Sequence, residues 1–450
     1  MSTAPAGEVA PVGEGPASGG TPTAPAGGVA QVVGGSAPGG TSTAPAGGVA
    51  PVGEGPAPGA GDASAVVPGG TPAGDGAEAA SGLSPSGGSA PTADDDTPPG
   101  PSPAETGTPA ALPPGPRRSR RARRALLAVV LALLLPLLAA EAALRVNYAG
   151  DPAPGTFTRN RDALWLGHAW VDGRKEDADV SALARRLRGT GVRDLYVHSG
   201  PLEHDGTLPG SAHPRARWFL DAVRRELPGV RVQAFLGDVL ATEGPEGMRL
   251  EDPRTRAAVL RSARQVLDTG YQGVHLDLEP LHSGDRHYLA LLDALHRETR
   301  ARGVPLSVAA HQIDPLPGFH SLWGTLTGHP KWWSQEFFGQ VARRVDQIAM
   351  MSYDTMQPLR STYGGYVAQQ TSLALEVTPP ATDLLMGLPF FHENRFGHWN
   401  HAETVPAAVR GVRLGLSRTD PGRSRFGVAL YVDFAATEAD WRAYREGWVR

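Results

Sequence analysis

The stretch GVHLDLEP, Gly273–Pro280, is where the fold of this chain becomes readable. Val274, Leu276 and Leu278 alternate with His275, Asp277 and Glu279. Alternate side chains of a strand share a face, so an imidazole and two carboxylates project from one side of an otherwise apolar, rigid element. Carboxylates on such a face are costly unless they are paired, solvated or used.

Working outward, strand-like runs recur at Ala163–Trp170, Asp194–Gly200, Val230–Gly237, Pro305–Gln312, Asp346–Asp354, Asp383–Phe391 and Phe426–Phe434. Helical stripes fall between them. One runs over Asp285–Arg302, where Tyr288, Leu291, Leu292 and Leu295 recur at helical spacing, and a last one over Glu438–Gly447. Eight β/α units in residues 161–450 predict an α/β fold, a (β/α)8 TIM barrel. An open doubly wound sheet is the alternative, and its nucleotide-binding form is disfavoured because no Gly-rich loop follows the first strand. Barrel active sites lie at the C-terminal strand ends. Polar residues collect there: His168 and Trp170, His198, Asp238, Asp277 and Glu279, His311 and Gln312, Tyr353 and Asp354, His392 and Glu393, Tyr431 and Asp433. That points to an enzyme with an open cleft.

The 450 residues carry a formal net charge of -4, without the basic footprint of a nucleic-acid binder. Cys is 0, which excludes disulfides and thiolate metal sites. Residues 1–116 are low-complexity Ala/Gly/Pro/Ser/Thr, with TAPAGEVAPVGEG repeated in close variants from Thr3, Thr23 and Thr43. The repeat has no aromatic or leucine layer to stack, so a disordered, mildly acidic spacer is expected rather than a solenoid. Residues 117–145 pair RRSRRARR (Arg117–Arg124) with ALLAVVLALLLPLLAA (Ala125–Ala140) and EAALR. From 125 to 144 is about the ~20 residues that span a bilayer as a helix. The positive-inside rule puts the arginines and the tail in the cytoplasm and the rest outside, as a single-pass cell-membrane protein. A cleaved signal with AEA (Ala140–Ala142) as its processing site is the competing possibility. Residues 146–160 read as a short polar linker, reaching at most about 50 Å.

At the fourth and sixth strands the sequence resembles glycoside hydrolase family 18, the chitinase-like barrels. That family's strand-four pattern is Asp-Gly-x-Asp-x-Asp-x-Glu; here it stands as Gln272, Gly273, Val274, His275, Leu276, Asp277, Leu278 and Glu279. The family's Met-x-Tyr-Asp of strand six stands as Met351, Ser352, Tyr353 and Asp354. The resemblance covers Asp162–Arg450 and implies substrate-assisted, retaining hydrolysis, in which the sugar's 2-acetamido oxygen attacks the anomeric carbon. It implies Glu279 as general acid and then base. It implies Asp277 as the group that raises the Glu279 pKa and orients the acetamido, and Tyr353 and Asp354 as its holders. Around them, Trp170, His275, His311, Gln312, Met351, His392, Glu393 and Tyr431 are candidate substrate contacts. No cofactor follows from this chemistry. The departures are specific: His275 replaces a family Asp, AFLGD (Ala234–Asp238) replaces Ser-x-Gly-Gly, and Tyr431 replaces a platform Trp.

Bland readings stand beside these. Asp277 and Glu279 could form structural ion pairs, and His275 could be a satisfied inner-barrel histidine. HENRFGHWNH (His392–His401) lacks HExxH spacing and reads as loop histidines rather than a metal site. Trp332 and Trp333 are sugar platforms or packing, and Trp441, Tyr444 and Trp448 read as core. The rivals to a substrate-assisted hydrolase of wall peptidoglycan or a chitin-like glycan are a non-catalytic glycan-binding barrel and a glycosidase with a second carboxylate, such as Glu393 or Asp433.

Overall fold

The computed structural model describes residues 117–242, 246–395 and 397–450. The spacer expected over 1–116 lies outside the described residues. Eight strands, β1 (Asp162–Leu166), β2 (Val192–Pro201), β3 (Arg231–Val239), β4 (Val274–Glu279), β5 (Leu306–Ala310), β6 (Gln347–Met350), β7 (Asp383–Pro389) and β8 (Phe426–Tyr431), close into one barrel in chain order. Every neighbouring pair is parallel, and β8 returns to β1 through Ala429–Ala163 and Leu430–Leu164. This is the TIM barrel that the sequence predicts.

The α-helices longer than four residues are α1 (Arg117–Tyr148), α2 (Asp177–Leu187), α3 (Ala216–Glu226), α4 (Pro253–Thr269), α5 (Arg286–Ala301), α6 (Phe319–Thr327), α7 (Gln335–Ala342), α8 (Arg360–Val377), α9 (Val405–Thr419) and α10 (Glu438–Tyr444). Local chemistry sets their starts. Asp285 accepts the His287 and Tyr288 amides at 2.7 and 2.9 Å, satisfying two orphan donors at the head of α5. The stripe Tyr288, Leu291, Leu292 and Leu295 then buries against the outer face of the barrel.

Strand alternation splits β4 as expected. Val274, Leu276 and Leu278 join the core between strands and helices. His275 points into the barrel, stacked on Tyr196 with ring centroids 3.8 Å apart. A buried polar ladder descends from it. Trp165 Nε1 donates to His275 Nε2 at 3.1 Å, and His275 Nδ1 donates to Ser307 Oγ at 2.8 Å. Tyr196 donates to Gln347 Oε1 at 2.6 Å, Gln347 Nε2 reaches Asp194 at 3.2 Å, and Arg231 clamps that carboxylate at 2.8 Å through two nitrogens. Each polar side chain named in this ladder thereby finds a partner. At the bottom, Asp162 accepts from Tyr444 at 2.7 Å, from Trp448 at 3.0 Å and from the Val428 amide at 3.0 Å, which stitches the first strand to the last helix. Trp441, Tyr444 and Trp448 are core, as their spacing suggests.

Helix α1 does not end at the expected linker. It continues through Tyr148, and its last turns dock on α8. A Cβ on Gly365 would come within 1.8 Å of the Leu144 carbonyl oxygen, and one on Gly364 within 2.1 Å of the Tyr148 ring. Only glycine permits so close an approach. Arg418 donates to the Asn147 and Ala149 carbonyls at 2.6 and 2.7 Å, satisfying acceptors that every helix C-terminus leaves open. Segment Ala122–Tyr148 is long and apolar enough, by length and composition, to cross a membrane.

Candidate active site

The inward residues of β4 occupy three successive levels, about 7 Å apart along the strand. His275, the lowest, has no exposed surface, and burial pushes its imidazole down to about 3. Both ring nitrogens are engaged within the ladder. It is a neutral inner-barrel histidine with no surface to offer a sugar, and the expectation of a substrate contact there is corrected. Asp277 lies one level higher. Its Oδ1 is buried with no hydrogen-bond partner, and burial pushes the carboxyl up to about 7. Glu279 stands at the mouth with 21 % of its side chain exposed. Burial, then the charges of Asp277 and Asp354, raise it well above the usual carboxylate range, against the pull of Lys331. His311 Nε2 lies 3.6 Å from Glu279 Oε1, and burial lowers that imidazole to about 4, so it faces the acid uncharged.

The end of β6, two strands along from β4, supplies the adjoining wall. Tyr353 stacks on Tyr431 at 5.1 Å and 21°, and Met351 and Phe391 pack with them as an aromatic floor. Asp354 follows in the left-handed region at φ 55, a conformation that Asp tolerates better than most residues. Four side chains hold it there. Glu403 accepts its amide at 2.7 Å, Lys331 donates to its carbonyl at 2.7 Å, Arg395 donates to Oδ2 at 2.9 Å, and His398 Nδ1 lies 3.0 Å from Oδ1.

Lys331, Arg395 and Glu403 carry no signal in the sequence that marks them as neighbours. They come from two connections: Lys331 follows α6, and Arg395 and Glu403 lie between β7 and α9. His398 sits between Asp354 and Glu403, 3.1 Å from the latter, and is fully buried. Burial alone would lower its imidazole; the two carboxylates instead raise it to about 9. Asp354, His398 and Glu403 present ligand atoms within 4.8 Å of one another, a spacing that a divalent cation could bridge. The cationic Arg395 and Lys331 already flank the group, and an imidazolium between two carboxylates balances its charge.

His398→Ala is expected to destabilise the protein by about 3 kcal/mol, because buried Glu403 and half-buried Asp354 lose the cation between them. The raised pKa makes this contribution complete below the unfolded value of ~6.5 and lost as pH rises through about 9. Thermal melts of both proteins across that window should therefore converge at the alkaline end.

The remaining sequence candidates are placed as follows. Trp170 is buried and donates to Asp433 Oδ2 at 2.7 Å, while the Gly167 amide takes Oδ1 at 2.9 Å. Asp433 is thus a clamp between the first and last strand ends, pushed up to about 6 by burial. Gln312 donates to the Met351 and Tyr353 carbonyls at 3.0 and 2.6 Å and accepts from Tyr366 at 2.9 Å. It positions the end of β6 and has no group left for substrate. His392 turns away to Asp440 at 2.8 Å, at the head of α10, and Glu393 is exposed. His168 Nδ1 meets the His198 carbonyl at 3.0 Å across the tops of β1 and β2. Asp238 pairs with exposed His204 at 3.0 Å. Trp332 and Trp333 are buried packing, paired as a short strand with Gln312 and Ile313.

No family model matches the chain, and no curated protein matches it. Solved structures do, at low identity. The Bacillus megaterium spore cortex-lytic enzyme SleL aligns at 11% identity and a TM-score of 0.46, over 66% of this chain and 76% of that one. A class V chitinase from Pseudomonas fluorescens aligns at 14% and 0.45, over 64% and 98%. A chitinase from Chromobacterium violaceum aligns at 14% and 0.43, over 63% and 98%. These are distant likenesses, and the barrel assignment rests on the chain's own strand order.

Proposed function

We propose that the chain is a membrane-anchored glycoside hydrolase that cleaves N-acetylglucosamine-containing glycan, with retention and with the substrate's own acetamido group as nucleophile. The observation that carries this reading is the pair on β4. Glu279 stands at the barrel mouth and is kept protonated by burial and by neighbouring negative charge, with Asp277 one level beneath it. In the first step the Glu279 proton passes to the glycosidic oxygen as that bond to the anomeric carbon breaks. The acetamido oxygen closes on the carbon to form an oxazolinium, and Asp277 stabilises the positive charge that develops on its nitrogen. In the second step the Glu279 carboxylate takes a proton from water, which opens the ring with net retention. Tyr353 and Asp354 hold the sugar over the Tyr353–Tyr431 floor.

Anchoring is supported by the apolar helix Ala122–Tyr148, and the arginines that precede it favour an orientation with the barrel outside the cell. Its docking keeps the barrel near the surface, where peptidoglycan or a related envelope glycan is the reachable polymer. A second reading, a barrel that binds glycan without cutting it, is favoured by one observation: neutral His275 cannot exchange a proton with Asp277 as an Asp would.

The test uses the full chain in detergent, with N-acetylated chito-oligosaccharides, their free-amine counterparts and isolated peptidoglycan, read by mass spectrometry. New reducing ends are expected from acetylated substrates only. Cleavage of the free-amine oligomers would overturn acetamido participation in favour of a second carboxylate. Binding without new ends would establish the non-catalytic barrel.

A further inference from the structure

Between β5 and β6 the chain departs from simple alternation and adds α6. None of its nine residues is fully buried. Phe319 and Trp323 turn their rings onto Trp332 beneath, with centroids 5.1 and 5.4 Å away. Its exposed side carries Leu322 and Leu326, 54% and 74% exposed, beside Ser321 and Thr325, and Leu316 in the turn before it is 66% exposed. Leu322 and Leu326 are four residues apart and share one face of the helix. From Pro315 to Pro330 there is no Asp, Glu, Lys or Arg. Outward leucines one helical turn apart, with aromatic rings at their flank, match the apolar face of a helix that lies in a membrane interface; the opposite face here packs on Trp332 instead of carrying charge.

Its location agrees. Gln369 Nε2 donates to the Pro315 carbonyl at 3.0 Å and fixes the root of the α6 segment to α8. Gly365, where α1 docks, lies one turn earlier on the same face of α8. The apolar span over residues 125–144 ends at the Leu144 contact itself, so the docking point on α8 lies at the end of the span. The anchor and the aliphatic helix are therefore tied to one helix face at the edge of the bilayer. A sugar ligand would call for aromatic platforms facing outward, and here the rings face inward.

We propose that α6 and the turn before it insert Leu322, Leu326 and Leu316 into the interface of the bilayer that α1 spans, so that the barrel is held to the membrane at two points. This rests on the anchor reading above. The absence of charge makes neutral lipid sufficient as the partner.

The chain contains no cysteine, so single labels are clean. Leu322→Cys, Leu326→Cys, Leu131→Cys in α1 and Glu438→Cys on α10 would each carry an environment-sensitive dye, in the full chain reconstituted in phosphatidylcholine vesicles with or without a shallow doxyl-lipid quencher. The expected result is a blue-shifted emission and at least twofold quenching at 322 and 326, quenching at 131, and none at 438. Quenching at 131 with none at 322 and 326 overturns the α6 contact and leaves the anchor standing. No quenching at 131 overturns the anchor and the α6 contact together. Equal quenching at 438 means non-specific adsorption and overturns the proposal. A blue shift at 322 and 326 that appears without quencher contact and grows with protein concentration assigns the face to a second copy, and one that appears only with chito-oligosaccharide assigns it to glycan.

Discussion

Glu279→Gln is expected to lower cleavage of N-acetylated oligosaccharides by about 10²–10⁴-fold, the usual worth of a positioned general acid and base. Glutamine keeps the shape of the side chain and removes the proton that the leaving oxygen needs. The loss should be smaller on an aryl glycoside with an acidic phenol, because that leaving group departs without protonation and only the base function is missed. The substitution should leave the fold intact. The wild-type carboxyl has a raised folded pKa, so its contribution to stability is complete below the unfolded value of ~4.3 and is lost as pH rises through the folded one. The neutral amide avoids that loss, and the variant should melt no lower than the parent at pH 8. Single-turnover rates on both substrates, with melting curves alongside, check this. Undiminished turnover of the oligosaccharide by the variant would remove Glu279 from the mechanism.

Much of this site was legible because it lies on β4 and at the end of β6. Alternation in GVHLDLEP fixes which side chains enter the barrel, and chain order fixes that the strand ends converge. What alternation does not carry is depth. His275, Asp277 and Glu279 share a face, yet one lies in the sealed core and another at the mouth. The cage around Asp354 was not legible for a different reason. Lys331 precedes β6, Arg395 and His398 follow β7, and Glu403 precedes α9, so their meeting depends on loop paths that leave no periodic trace. His392 and Glu393 show the converse. They follow a strand end directly, but the backbone turns and delivers one to Asp440 and the other to solvent. The run on to Tyr148 was hidden by composition: VNY reads as linker, and only the glycine pair of α8 makes room for the helix to continue.

Asp277→Asn is expected to lower activity by about 10²–10³-fold, the cost of removing one charge aimed at a developing cation, and to make the protein more stable above neutrality. The two effects share a cause. Asp277 is buried at Oδ1 without a partner, so its carboxylate is available to the reaction and costly to the fold. The folded carboxyl titrates at about 7 against an ordinary ~3.9, so its contribution to stability is intact below pH ~4 and is lost as pH rises through 7. At pH 8 the amide variant should exceed the parent by about 1–2 kcal/mol, allowing for solvent that reaches a half-buried group, and at pH 4 the two should match. The pH–rate profile supplies an independent reading. In the parent, activity should rise as Asp277 ionises near 7 and fall where Glu279 loses its raised-pKa proton, with the limbs belonging to the pair. In the variant the acid limb should vanish. The alkaline limb of the residual activity should move to lower pH, because the Asp277 charge that helps hold the Glu279 proton is gone. Urea titrations at pH 4 and 8 and a pH–rate series on one oligosaccharide test both halves. A variant that gains no stability at pH 8 and keeps the parental alkaline limb would show that Asp277 does not act on Glu279, and the acid would then owe its proton to burial and Asp354 alone.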